Sequence, residues 1–203
     1  YQLVDYDKDI MVLTVQAREL TGTAASYSRK VYIPLYGAVN VHVDWGDGSS
    51  EDVDKTVTSA ATMVQHEYAV EGQYCVTVKG TAAQMKGTAV NKNAAPAITG
   101  VIQWGMLGLT SLEDAFRYNT SITAVPMPED GAFAAVTTVE GMFEGCTSLV
   151  SVPEGLLSSA TALVDAAMLF SDCASLTEVP ERLFASNPLI NDVSSMFNGC
   201  LSI

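Results

Sequence analysis

Two rhythms of apolar and polar residues divide this chain. In the first, apolar residues come at every second position in short runs. In 31-VYIPL-35, Val31, Ile33 and Leu35 share one side. In 41-VHVDW-45, Val41, Val43 and Trp45 alternate with His42 and Asp44, and Gly46-Asp47-Gly48 then turns the chain. In 72-GQYCVTVKG-80, Tyr74, Val76 and Val78 alternate with Cys75, Thr77 and Lys79, while 10-IMVLTV-15 is nearly continuous β-branched and aliphatic sequence. A period of two between glycine-rich turns, with no helical period, predicts an all-β sandwich over residues 1–92.

The second rhythm is longer. In 142-MFEGCTSLVSVP-153 and 169-LFSDCASLTEVP-180 the same residue types return 27 positions apart. The period builds apolar columns: Leu109, Val136, Leu163, Ile190; Leu112, Val139, Ala166, Val193; Phe116, Phe143, Phe170, Phe197; Ile122, Leu149, Leu176, Ile203; and Ile98, Val125, Val152, Val179. One coil cannot bury its own apolar side, so a fixed period of about 20–29 residues predicts stacked coils of the leucine-rich solenoid type. The expected fold is therefore two-domain: an immunoglobulin-like sandwich over 1–92, then a leucine-rich-repeat solenoid over 93–203, meeting near residues 86–97. In the solenoid, Leu149–Val152 and its equivalents would be short strands of a parallel sheet. Residues 157–170 would return along the other side with a helical turn, and Ile98 would belong to an opening coil near residue 96.

The polar members of the repeat change that picture little. Cys146, Cys173 and Cys200 occupy one column whose first member is Asn119, while Cys75 lies far upstream. Cysteine and asparagine can both bond to neighbouring backbone, and the serines at 121, 148, 175 and 202 suit similar local bonds. With no C-x-x-C spacing, a structural zinc site is not expected. Parallel Cβ vectors in a stack do not suit a disulfide, so all four thiols are expected to be free.

Charge narrows the partners. Residues 93–203 hold twelve acids against Arg117 and Arg182, and the whole chain carries a net −13. Such a surface repels phosphate backbones, which argues against nucleic acid, and serves solubility. No run approaches a membrane span. The chain opens directly on YQLVDYDKD without a signal-peptide pattern, and its fourth repeat reaches Ile203 without a polar cap.

Two stretches resemble known families. WGDG at 45–48, HEY at 66–68 and Gly72-Gln-Tyr74-Cys-Val76-Thr-Val78 resemble the polycystic-kidney-disease (PKD) domain over about residues 5–90. That resemblance implies an immunoglobulin-like sandwich with Trp45 in its core, acting as an extracellular spacer or interaction module. The M-F-x-x-C-x-S-L-x-x-[VI]-P pattern over residues 98–203 resembles the roughly 26-residue leucine-rich repeats of bacterial surface proteins and lipoproteins, of the Bacteroides surface-antigen type. It departs at Asn119 and Leu169. The resemblance implies display at the bacterial cell surface, with a lipid anchor upstream, and adhesion or recognition of a protein or glycan by a monomeric chain. The alternative is a structural stalk or spacer.

Candidate chemistry is sparse. Asp44, Asp47, Glu51, Asp52 and Asp54 cluster in the manner of a calcium loop, but lack the D-x-[DN]-x-[DN]-G order, and a turn stabilised by Asp fits them better. His42 and His66 have no nucleophile in sequence motif, and His66 reads as structural. No catalytic, cofactor-binding or metal-binding residue is assigned, and no enzyme activity is expected. The ligand-binding residues are not identified; the variable strand positions Val150, Ser151, Thr177 and Glu178 are the candidates for contact.

Overall fold

The computed structural model describes residues 7–18, 29–87 and 97–203. Among them, the strands are β1 (Ile10–Ala17), β2 (Lys30–Ile33), β3 (Leu35–Asp44), β4 (Ser50–Val57), β5 (Val64–Glu67), β6 (Gly72–Met85) and β7 (Ile98–Gln103). A single 3-10 turn at Ala60–Thr62 is the only named helical element among the described residues. Five strands form an antiparallel sheet in the order β4-β3-β6-β1-β7, and β2 pairs antiparallel with β5 in a second sheet.

The alternating residues set the inward faces. Met11, Leu13, Val15 and Ala17 of β1 are fully buried, as are Val31 and Ile33 of β2 and Val76 and Val78 of β6. Both sheets contribute to one apolar core. Pro34 separates β2 from β3, because it has no amide hydrogen to offer a ladder. β4 has no alternating signal: it pairs only with β3, and only Val53 and Val57 turn inward from its polar run.

The leucine-rich-repeat solenoid expected over 93–203 is not present. The sheets are antiparallel, no strand is named among residues 104–203, and the expected return helix at 157–170 is a series of turns. Ile98 does not open a coil of a parallel sheet; it lies in β7, which pairs antiparallel with β1. The physical reason is local. Amides that a strand would spend on a neighbour instead bond three residues back, as in Cys146 N to Phe143 O (2.9 Å), Leu149 N to Cys146 O (3.0 Å) and Leu163 N to Ala160 O (3.0 Å). The expected junction at 86–97 falls largely on residues 88–96, outside the described residues.

What the period builds is a stack of turn layers on the edge of the sandwich. Only one residue per layer makes a parallel bridge, from Gln84 of β6 to Ser111, Thr138, Asp165 and Asp192 in turn. Beside that bridge, Leu112 N, Asp114 N, Phe116 N and Tyr118 N donate forward to the carbonyls of Thr138, Glu140, Met142 and Glu144. The amides between them bond backward within the layer: Ala115 N to Leu112 O, Arg117 N to Asp114 O and Asn119 N to Phe116 O. The same forward set recurs at Val139, Gly141, Phe143 and Gly145, and again at Ala166, Met168, Phe170 and Asp172.

Two columns of left-handed backbone make this alternation possible. Asp114, Gly141, Met168 and Ser195 have φ of 58°, 59°, 54° and 54°, and Tyr118, Gly145, Asp172 and Gly199 have 58°, 71°, 58° and 75°. Non-glycine residues rarely adopt this region, so the layer geometry holds them there against a cost of about 1–3 kcal/mol each.

Stacking aromatics fill the space between the layers. Phe116, Phe143, Phe170 and Phe197 lie nearly parallel at centroid separations of 5.9, 5.8 and 5.9 Å. Trp104 closes the near end, edge-on to Phe116 and Phe133, with its Nε1 donating to Pro126 O. Phe143 is fully buried whereas Phe197 is 39% exposed. Phe143→Ala should therefore lower the unfolding free energy by about 3–5 kcal/mol, and Phe197→Ala by less than about 2 kcal/mol. Denaturant unfolding of the two variants checks this gradient; equal costs would contradict it.

Candidate functional site

The acidic cluster, both histidines and Trp45 come together at the β3–β4 turn. Gly46 has φ of 77°, and a Cβ there would overlap the Cys75 carbonyl, so the turn needs glycine at that point. Asp44 Oδ1 accepts from Gly46 N at 2.8 Å, and Asp47 Oδ1 accepts from Ser49 N at 3.0 Å and Ser49 Oγ at 2.5 Å. His66 reaches across from β5 and donates from Nε2 to Asp47 Oδ2 at 2.8 Å. Its ring stacks on Trp45 (4.9 Å, 16°) and meets the Tyr68 ring edge-on at 4.6 Å. Tyr68 donates to Trp45 O at 2.9 Å from a fully buried position, and its ring stacks on Tyr74 at 4.0 Å. Trp45 Nε1 donates to Glu51 Oε1, and His42 Nδ1 pairs with Asp52 Oδ1 at 2.7 Å. Asp54 lies opposite Asn40 in the β3–β4 ladder.

These contacts tie the turn between β3 and β4 to β5 and β6. The carboxylates point to different partners rather than converging: among the described residues, no group of three or more His, Cys, Asp and Glu could hold a metal ion. Hydrogen bonds from Ser49, with His66 adding to them, outweigh partial burial and lower the Asp47 carboxyl from an ordinary 3.8 to about 2.

The cysteine column is a set of thiol donors. Cys146 Sγ donates to Phe116 O at 3.2 Å, Cys173 Sγ to Phe143 O at 3.1 Å and Cys200 Sγ to Phe170 O at 3.0 Å. Asn119 fills the same place at the base, donating to Ile98 O at 2.9 Å and accepting from Ser121 N and Ile122 N. All four cysteines are free: Cys146 and Cys173 are buried, Cys200 is half-buried and Cys75 is exposed. Burial pushes the Cys146 thiol well up and that of Cys173 to about 12, so neither is a nucleophile at neutral pH.

A charged cluster that the sequence reading missed joins the first two layers. Arg117 donates from Nη2 to Glu144 Oε1 at 2.7 Å and from Nη1 to Asp114 Oδ1 at 3.2 Å, and Tyr118 Oη donates to the same Glu144 oxygen. Lys86 Nζ meets Glu113 Oε1 at 2.5 Å. The signal was available: Arg117 precedes Glu144 by 27 residues, and Lys86 precedes Glu113 by 27. A period that stacks apolar columns also stacks opposite charges.

The variable positions lie on one outward row. Val150 N donates to Thr123 O at 2.9 Å and Thr177 N to Val150 O at 3.1 Å, so three successive layers are pinned side by side. Thr123, Val150, Thr177 and Glu178 are exposed, and Ser151 is half-buried. The row mixes hydroxyl, aliphatic and carboxylate side chains on a backbone held by interlayer hydrogen bonds.

No family model, curated protein or solved structure matches this chain. Among the described residues, no helix is long and apolar enough to cross a membrane.

The Asp47 carboxylate makes a pH prediction. Its folded pKa lies below the unfolded value, so its contribution is fully present above about pH 4 and is lost as pH falls toward 2. Across that window the wild-type protein should lose more stability than Asp47→Asn, which keeps an acceptor oxygen but does not titrate. Denaturant midpoints measured at several pH values check this; parallel losses in both proteins would contradict it.

Proposed function

We propose that this chain is a binding or adhesion module displayed at a bacterial cell surface, recognising a protein or glycan partner, with the sandwich acting as spacer. The observation that carries this reading is the outward row of Thr123, Val150 and Thr177. Interlayer hydrogen bonds fix its backbone, and its threonine and valine side chains stay exposed. A rigid surface with short, β-branched side chains loses little conformational entropy on binding, which suits a recognition surface. The PKD-like and surface-repeat sequence patterns support the same reading and its extracellular setting. Where side chains have reactive groups they serve the scaffold: His66 holds Asp47, and Cys146 and Cys173 hold backbone carbonyls.

The test is a binding panel of immobilised matrix proteins and glycans, with the double variant Val150→Arg/Thr177→Arg beside the wild type. Saturable binding to at least one panel member is expected, weakened by about tenfold or more in the double variant, with the melting temperature unchanged. Loss of no affinity in the double variant would remove the row from the interface. No binding across the panel would favour a stalk or spacer.

A further inference from the structure

Glu144 carries a charge that its surroundings answer on one side alone. Its side chain is 9% exposed, and Oε1 accepts from Arg117 Nη2 at 2.7 Å and from Tyr118 Oη at 2.9 Å. Oε2 is buried and has no donor among the described residues, and Arg117 Nε is buried without an acceptor. Folded proteins leave few buried polar atoms in that state, and a charged group is the costliest kind to leave so.

A second carboxylate shares the same space. Asp114 belongs to the layer before, and its side chain is 14% exposed. A Cβ built on Gly141 would stand 2.5 Å from Asp114 Oδ1 and 3.5 Å from Glu144 Oε2, so the missing side chain leaves both oxygens beside one small gap. The cations nearby do not neutralise both acids. Arg117 spans them, with Nη1 3.2 Å from Asp114 Oδ1, while Lys86 is taken by Glu113 at 2.5 Å. Glu140 stands near Asp114 and Glu113 with a further negative charge, and Asp165 faces Glu140 from the next layer. Glu113, Asp114, Glu140 and Glu144 therefore share the two cations Lys86 and Arg117.

We infer that Asp114 and Glu144 bind one proton between them, which makes the junction of the first two layers a pH-sensitive lock. The proton passes from water to Asp114, and the new O–H donates to Glu144 Oε2, the oxygen left without a donor. The pair then carries a single negative charge, matched by Arg117. Two carboxylates that share a site do not both ionise freely. Burial pushes the Asp114 carboxyl above its ordinary 3.8; Arg117 and Lys86 oppose this, and Glu113 and Glu144 add to it. Its folded pKa thus exceeds the unfolded one. The contribution to stability is fully present below about pH 4 and is lost as pH rises through the folded value, the reverse of Asp47. The lock sits where the two layers are joined, since Asp114 N donates to Glu140 O and Tyr118 N to Glu144 O.

The experiment titrates the side-chain carboxyl carbons of the full chain by NMR and compares denaturant unfolding at about pH 7 and about pH 4.5. In the wild type Asp114 should titrate above 3.8, and Glu144→Gln, which removes the second charge, should lower its midpoint. Asp114→Asn tolerates the left-handed backbone and has an amide that donates to Glu144 at every pH. Relative to that variant, the folded-to-unfolded ratio of the wild type should rise by at least about twofold from the higher pH to the lower. A wild-type Asp114 that titrates at or below 3.8, or a midpoint unmoved in Glu144→Gln, would overturn the inference. So would equal pH responses in the wild type and Asp114→Asn. If Asp114→Asn does not fold, the titrations of the wild type and Glu144→Gln decide alone.

Discussion

Every layer of the repeat half depends on how its backbone amides are shared out. Within each turn, alternate amides close local three-residue turns and the others reach forward to the next layer. A strand would spend all of its amides sideways and a helix all of them along its own axis. This division leaves the chain neither, which is why residues 104–203 fold without a named strand or helix. The forward donors need backbone turned into the left-handed region at two points per layer, and eight residues in two columns supply it. Once those hinges are set, the phenylalanine rings are brought into contact, and each thiol in the cysteine column falls within reach of a carbonyl in the layer before.

The sandwich depends on the same economy of donors. Asp44 and Asp47 take up amides that the β3–β4 turn would leave unpaired, and Tyr68 takes the Trp45 carbonyl inside the core. β6 then carries order from one half to the other. Its first residues pair with β1, its later ones with β3, and its end begins the bridge to Ser111. Covering the first layer with a strand end satisfies donors and acceptors that a free stack would leave to water. The apolar core is accordingly continuous from Met11 to Met196.

Much of the burial was legible in the sequence, and much of the secondary structure was not. The columns at Leu112, Phe116 and Ile122 named buried residues correctly in the first three layers, because periodic apolar positions report what must leave water. They did not report backbone conformation. The hinge columns hold Asp, Gly, Met and Ser in one case and Tyr, Gly, Asp and Gly in the other, so only three of eight positions carry the residue that signals left-handed backbone. The parallel strands expected at Leu149–Val152 followed from the period alone, and the local turns displaced them. β4 was illegible because an edge strand buries only every fourth residue here, and β7 because its partner lies far away in β1. At the candidate site, His66 and the aspartates could be read as structural from their turn chemistry. The Arg117–Glu144 pair was missed because charges were counted and not compared at the repeat spacing.

The hinge columns are the part of this account most open to direct measurement. At Gly145 a side chain would have to sit in left-handed backbone and its Cβ would overlap the Tyr118 ring, whereas Asp172 occupies the same column one layer on and already bears the conformational cost. Unfolding free energies of Gly145→Ala and Asp172→Gly therefore decide the matter. Gly145→Ala should be destabilised by about 1–3 kcal/mol, and Asp172→Gly should be no less stable than the parent. A neutral Gly145→Ala, together with a clearly destabilised Asp172→Gly, would show that the layers are not held by these hinges.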